Sequence, residues 1–173
     1  TWIHDAPSDG SEVKDLFGQF YNDGTLDIRQ GKLAFGDCCT VITHHGTVVL
    51  AENTELAIRG KVTFAPDSAF DTAKGSKLLF DGSGARVEGG FDVGGTVEVA
   101  SSTRFVAPVT VPKLIMSGNS IAIDQSLTVT DEFLFERGVL ASGGQLISGG
   151  TTMLGATDTS PGVTLRGRWL NQG

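Results

Sequence analysis

Apolar and polar residues alternate along most of this chain, over four or five positions at a time, which is the signature of a half-buried strand. A small or polar residue, a polar residue and then apolar–any–apolar recurs as Gly24-Thr-Leu26-Asp-Ile28, Gly31-Lys-Leu33-Ala-Phe35, Gly46-Thr-Val48-Val-Leu50 and Gly60-Lys-Val62-Thr-Phe64. Later copies include Gly95-Thr-Val97-Glu-Val99, Gln125-Ser-Leu127-Thr-Val129 and Asp131-Glu-Phe133-Leu-Phe135. Glycine or a polar turn residue separates most copies, so the pattern predicts many short strands.

Spacing decides among β architectures. From Leu26 to Val163 the first apolar positions recur every 6 to 10 residues, apart from three gaps of 13 to 16 that each admit one weak copy. That makes about 19 steps over 163 − 26 = 137 residues, about 7.2 per step. A hairpin meander needs about 8–12 residues per strand and frequent turn dipeptides. Asp23-Gly24 and Asp81-Gly82 are the clearest of those, too few for so many strands. Three steps make about 21 residues, one coil of a three-sided parallel β-solenoid, and the expectation is six to seven coils over 22–173. One coil cannot bury its own inner face, so stability comes from stacking inward residues coil on coil. Asp27, Lys32, Thr63, Glu98 and Thr128, between the apolar pairs, are expected to face water.

Only one stretch reads as helix. In 9–21 Asp9 or Ser11 can cap, Glu12 follows Asp9 by three, and Val13, Leu16, Phe17 and Phe20 fall at helical spacing. An N-terminal cap over 1–21, with its short helix in 9–21 closing one end of the solenoid, is therefore expected, although Gly18 weakens the helix. Residues 155–162 hold one alanine as their only apolar side chain and read as a longer corner loop.

Composition sharpens this picture. Glycine makes up 24 of 173 residues, about twice the usual share, which suits sharp corners, and without a three-residue period it excludes collagen. The 13 basic and 20 acidic residues give a net charge of −7, and the basic ones are scattered from Lys14 to Arg168, which argues against nucleic acid as a partner. No apolar run reaches the ~20 residues of a membrane helix. Thr1 is not a methionine, so the chain is expected to be a processed product or a piece of something longer.

Asn22-Asp-Gly24-Thr-Leu26-Asp-Ile28, Gly46-Thr-Val48-Val-Leu50, Leu114-Ile-Met116-Ser-Gly118 and Gly138-Val-Leu140-Ala-Ser142-Gly-Gly144-Gln-Leu146 resemble the glycine- and threonine-rich repeats of large surface adhesins and autotransporter passenger domains. The resemblance covers about 22–173 and rests on composition and spacing. It implies a right-handed parallel β-helix that serves as a stalk or adhesive surface outside a cell. The short strands are also similar to those of bactofilins, whose coils are shorter.

The densest chemistry is Cys38-Cys39-Thr-Val-Ile-Thr-His44-His45, four soft or borderline metal ligands within eight residues. Neighbours in an extended segment point to opposite faces, so at most one Cys and one His share a side. The alternatives are a vicinal disulfide, or buried cysteines with exposed histidines. Asp27, Asp71, Asp92, Glu98 and Asp124 are outward carboxylates that a polysaccharide-cleaving site could use if gathered on one face; they sit singly in different coils and equally suit solubility. Asp81-Gly-Ser-Gly84 and Gly89-Gly-Phe-Asp92 are poor calcium loops. Trp2 and Trp169 lie near the chain ends and read as closing the solenoid rather than stacking on sugars.

The sequence thus predicts an all-β protein with no catalytic, cofactor-binding or metal residues assigned and no cofactor. The expected function is a structural or adhesive solenoid segment, extracellular or at a cell surface. Two alternatives stand beside it: a carbohydrate-binding or polysaccharide-cleaving β-helix, and a self-assembling filament subunit. Expected partners are other coils of its own chain, a second copy end to end, or surface glycans and host proteins, with neither nucleic acid nor membrane insertion. Asn171-Gln-Gly173 matches the Asn22-Asp-Gly24 that opens the first clear repeat, which suggests continuation of the solenoid past residue 173.

Overall fold

The computed structural model describes residues 1–5, 13–16, 18–36, 40–82, 84–155 and 162–173. These form twenty-one strands and no helix. Every strand pairing is parallel, and the strands stack in three ladders, so the chain is a three-sided parallel β-solenoid of about seven turns.

Face I begins with Trp2–Asp5, Thr25–Gln30, Thr47–Leu50 and Ala69–Thr72. Face II begins with Val13–Leu16, Lys32–Phe35, Glu55–Ile58 and Lys77–Phe80. Face III begins with Gln19–Asn22, Val41–His44, Lys61–Phe64 and Ala85–Val87. Further on, long strands such as Val109–Met116 and Ser126–Phe135 run from face I into face II without a break.

The turns are shorter in the middle of the solenoid than towards either end. On face II, Leu33, Leu56, Leu78, Val97, Leu114, Phe133 and Thr152 share one register column. The chain takes a longer path from Leu33 round to Leu56 than from Val97 round to Leu114. The difference lies in the corners. Early coils turn through a four-residue box, Ala51–Thr54, Ala65–Ser68 and Ala73–Ser76. In each, the last residue returns both its backbone N–H and its hydroxyl to the alanine carbonyl. Later corners shrink to Gly94-Gly95 or to Pro112 alone, between Val111 and Lys113.

Alternation sets the core. Ile121 and Ile123 are fully buried while Ala122 between them is half-buried, and the same inward–outward rhythm runs through Leu26, Val48, Val97 and Leu127. A chain of phenylalanines fills the middle: Phe64 lies 4.9 Å from Phe70, Phe70 4.5 Å from Phe91, and Phe91 5.9 Å from Phe105. Such tilted, edge-on contacts stabilise beyond the apolar area they bury.

Where it is described, the stretch 9–21 expected to be helix is strand instead. Val13–Leu16 and Gln19–Asn22 are strands, in register with Lys32–Phe35 and Val41–His44. Gly18, at φ +101°, turns the chain between them, and the hydrogen bonds of a waiting ladder outweigh a helical stripe over so few residues. Residues 9–12 and Phe17 of that stretch, and most of the expected 155–162 loop, lie outside the described residues. The two Asn-x-Gly turns share one local geometry, with the glycine N–H donating to the asparagine Oδ1 at 3.1 Å (Asn22) and 3.2 Å (Asn171). They occupy different corners, however: Asn22 ends a face III strand and Asn171 a face I strand.

Candidate functional site

The outward side chains form rows, one per register position, and the candidate residues fall into these rows. On face II, Lys32, Glu55, Lys77, Thr96, Lys113 and Glu132 follow one another coil by coil. Glu55 is held by Lys32 at 3.3 Å and by Lys77 at 3.7 Å; Lys77 also reaches Glu98 at 2.8 Å, and Lys113 reaches Glu132 at 2.6 Å. Burial pulls the Lys77 ammonium down, but its hydrogen bond to Glu98 and the charges of Glu55 and Glu98 outweigh that, so its pKa is raised. The signal was present in the sequence: each of these residues directly precedes the first apolar residue of its face II segment.

Of the Cys–His stretch, the two histidines point to opposite sides of the wall. Cys38 and Cys39 lie outside the described residues. His44 points into the core, fully buried, with its ring edge-on to Phe64 at 5.7 Å. His45 points outward, its Nδ1 2.9 Å from Asp67 Oδ1. Burial pushes the His44 imidazole pKa below its ordinary value, more than the Gly46 backbone raises it. Among the described residues no three His, Cys, Asp or Glu side chains converge as metal ligands would.

The five outward carboxylates are likewise dispersed. Asp27 and Asp71 lie on one row of face I with Val49 between them, about 10 Å apart at the ~4.8 Å strand spacing. Asp27 pairs with Arg29 at 2.8 Å, and Asp92 stands beside Thr110 in the ladder. Glu98, on face II, accepts from Lys77 and from the Ser117 hydroxyl at 2.9 Å. Asp124, at the end of a face III strand, pairs with Arg104 at 2.9 Å. Trp2 sits over Leu26 and leans on Phe20, ring centroids 5.9 Å apart; Trp169 sits over Leu146 and donates its Nε1–H to Ser148 Oγ at 3.1 Å.

Sequence reasoning missed the row on face III. Tyr21, Thr43, Thr63, Arg86, Arg104, Ala122, Ala141 and Arg166 lie in unbroken register. These arginines looked scattered only because a whole coil of chain separates each ladder neighbour from the next. A cleft of about 550 Å³ opens along the row between Arg104 and Arg166, floored by Ala122 and Ala141. A smaller one of about 270 Å³ continues it past Ser102 and Ser120 towards Arg86.

The fold defines the class of protein, a parallel β-solenoid, and nothing narrower. No protein-family model matches the chain, and no curated protein or solved structure matches it. Among the described residues there is no helix long and apolar enough to cross a membrane.

Proposed function

We propose that the chain is a structural element, a rigid rod segment that spaces or displays a surface outside the cell. The observation that carries this reading is the use of surface charge. Lys32, Glu55, Lys77 and Glu98 tie four successive coils together side chain to side chain, as Lys113–Glu132 and Arg104–Asp124 tie others. Each pair is worth little alone, but a network along the axis resists bending and shear between coils. Inside, the apolar columns and the phenylalanine chain run through the same coils without a break.

The repeats' resemblance to those of surface adhesins supports the extracellular part of the reading. Labelling of intact and permeabilised producing cells with an antibody against the folded chain tests it. Label on intact cells is expected; label only after permeabilisation would overturn the extracellular part. Small-angle scattering tests the rod: a fixed, elongated shape is expected, and a flexible ensemble would overturn it.

A further inference from the structure

We infer that the outer row of face III is a binding surface for a linear acidic polysaccharide, lying along the solenoid axis. The inference does not depend on the rod reading, because it concerns the chemistry of one outer row.

Three cations define the row. Arg86 and Arg104 stand on adjacent coils, about 5 Å apart along the axis, and Arg166 lies three coils beyond Arg104, about 14 Å away. Arg104 and Arg166 are exposed and face the same cleft. Arg86 and Arg104 are positioned by Glu88 and by Asp124, and among the described residues no carboxylate pairs with Arg166. A guanidinium presents a planar fork of donors that matches a carboxylate. The spacing therefore selects a ligand with anionic groups at intervals along a line, not a single small anion.

The rest of the row selects the kind of polymer. Besides Ala122 and Ala141 its remaining members are two hydroxyls and one aromatic ring: Thr43 and Thr63 continue it towards Tyr21, which is 72% exposed, and Ser102 and Ser120 border it with their hydroxyls 3.1 Å apart. Hydroxyls suit a chain of sugar hydroxyls, and an exposed tyrosine offers a face for a sugar ring. A peptide would need either an open strand edge for backbone pairing or apolar pockets for its side chains. The strands beneath Arg86, Arg104, Ala122 and Ala141 are paired on both sides, and of the cleft's strands only that of Arg166 has an open edge among the described residues. The cleft is floored by Ala122 and Ala141, too small to form an apolar pocket, and the Asp124 carboxylate that also lines it is held by Arg104. The chain carries −7 overall, so diffuse attraction does not favour a polyanion, and binding has to come from this local arrangement.

The test is calorimetric titration of the folded chain at low and at physiological salt, with polygalacturonate as the probe. Its methyl-esterified form and poly-L-glutamate serve as comparisons. Saturable binding of polygalacturonate is expected, at least tenfold weaker in Arg104→Gln/Arg166→Gln and unchanged in Lys32→Gln/Lys113→Gln on face II. The methyl ester, with the same sugars and without the charge, should fail to bind. Ala141→Glu, which places a carboxylate on the cleft floor, should weaken binding as well, and it keeps the test decisive if the arginine double variant does not fold. No binding of polygalacturonate would overturn the inference. So would equal loss in the face II variant, which would mean diffuse electrostatics, or poly-L-glutamate binding as tightly, which would mean that charge alone is read.

Discussion

Asn22 and His44 stand one above the other on face III, with Asn22 Nδ2 2.9 Å from His44 Nδ1. The asparagine is fixed by its own turn: Gly24 N–H donates to Oδ1, so the amide nitrogen is the atom that faces the ring. His44 Nδ1 is then the acceptor, the ring proton sits on Nε2, and Nε2 is buried without a partner. Protonating Nδ1 removes the Asn22 bond and leaves a cation in the core. The fold thus prefers the neutral ring, consistent with the lowered pKa.

A pH dependence follows from that pair. Because the folded pKa lies below the ordinary 6.5, the unfolded chain takes up the proton first as pH falls. Stability from His44 is complete above 6.5 and is lost progressively below it. Urea unfolding at pH 7.5 and pH 5 should show this loss in the wild type. His44→Phe should abolish that part of it, since Phe64 fills the same column one coil on. Identical pH slopes in the two proteins would refute the assignment.

The alternation on face III makes a second prediction. Ile123 is fully buried, with Phe105 and Ser142 as its ladder neighbours, whereas Ala122 faces outward between Arg104 and Ala141. Ile123→Asp puts an unpaired carboxyl among apolar groups and should cost several kcal/mol. Ala122→Asp should stay within about 0.5 kcal/mol of wild type. Equal losses in the two melting curves would contradict the facing.

Much of this fold was legible because apolar–x–apolar repeats at a near-constant spacing leave few alternatives to a three-sided solenoid. Ile121-Ala-Ile123 declared its facing from three letters. Residues 13–22 were misread because Val13, Leu16 and Phe20 satisfy a helical stripe locally, while the strands that claim them, Lys32–Phe35 and Val41–His44, belong to the next coil. The Arg86–Arg104–Arg166 row was invisible for a related reason: register, not proximity in sequence, assembles it. Coil length is not constant even on face II, where the path from Leu33 to Leu56 exceeds that from Val97 to Leu114, so a fixed period does not align the row.

Close stacking at the corners makes a third prediction. A Cβ built on Gly118 would lie 1.7 Å from the Ala100 carbonyl oxygen, a backbone atom that cannot swing away. Gly118→Ala should therefore cost about 1–3 kcal/mol, the range for forced overpacking. Gly90 has open space within 4 Å of the same position. Gly90→Ala should be neutral or stabilise by about 0.4–1 kcal/mol, through the loss of unfolded-state freedom. Thermal melts of the two variants separate the cases, and equal shifts would show that the corners relax freely.

Lys77 tests the cross-coil charge network. Lys77→Gln leaves Glu55 with Lys32 and Glu98 with Ser117, so the expected loss is about 0.5–1 kcal/mol, shrinking in 1 M salt. The raised lysine pKa adds a sign: its contribution is present below the ordinary 10.5 and is lost as pH rises through the folded value. Denaturant midpoints of wild type and variant at low and high salt measure the first effect. A difference that salt does not touch would mean that the lysine acts through packing of its stem.

Among the described residues the last strand, Val163–Asn171, pairs only with Gly138–Ser148, on one side, while Gly138–Ser148 has ladder partners on both. In a parallel ladder a residue directs its N–H and C=O to the same neighbour, and successive residues alternate between neighbours. Every second amide of an edge strand therefore has no strand to donate to. Ser148 C=O accepts from Gln172 N–H at 2.8 Å, which sets the phase. Hydrogen exchange read residue by residue should alternate between slow and fast along 163–171 and be uniformly slow in the paired parts of 138–148. Trp169 and Leu170, 37% and 41% exposed, leave that edge wet, so the fast amides should exchange at close to unstructured rates. Uniform protection along 163–171 would show instead that another strand covers the edge, and uniform fast exchange that the strand has left the ladder. Only the alternating pattern agrees with the register of Leu140 on Leu165 and Leu146 on Trp169.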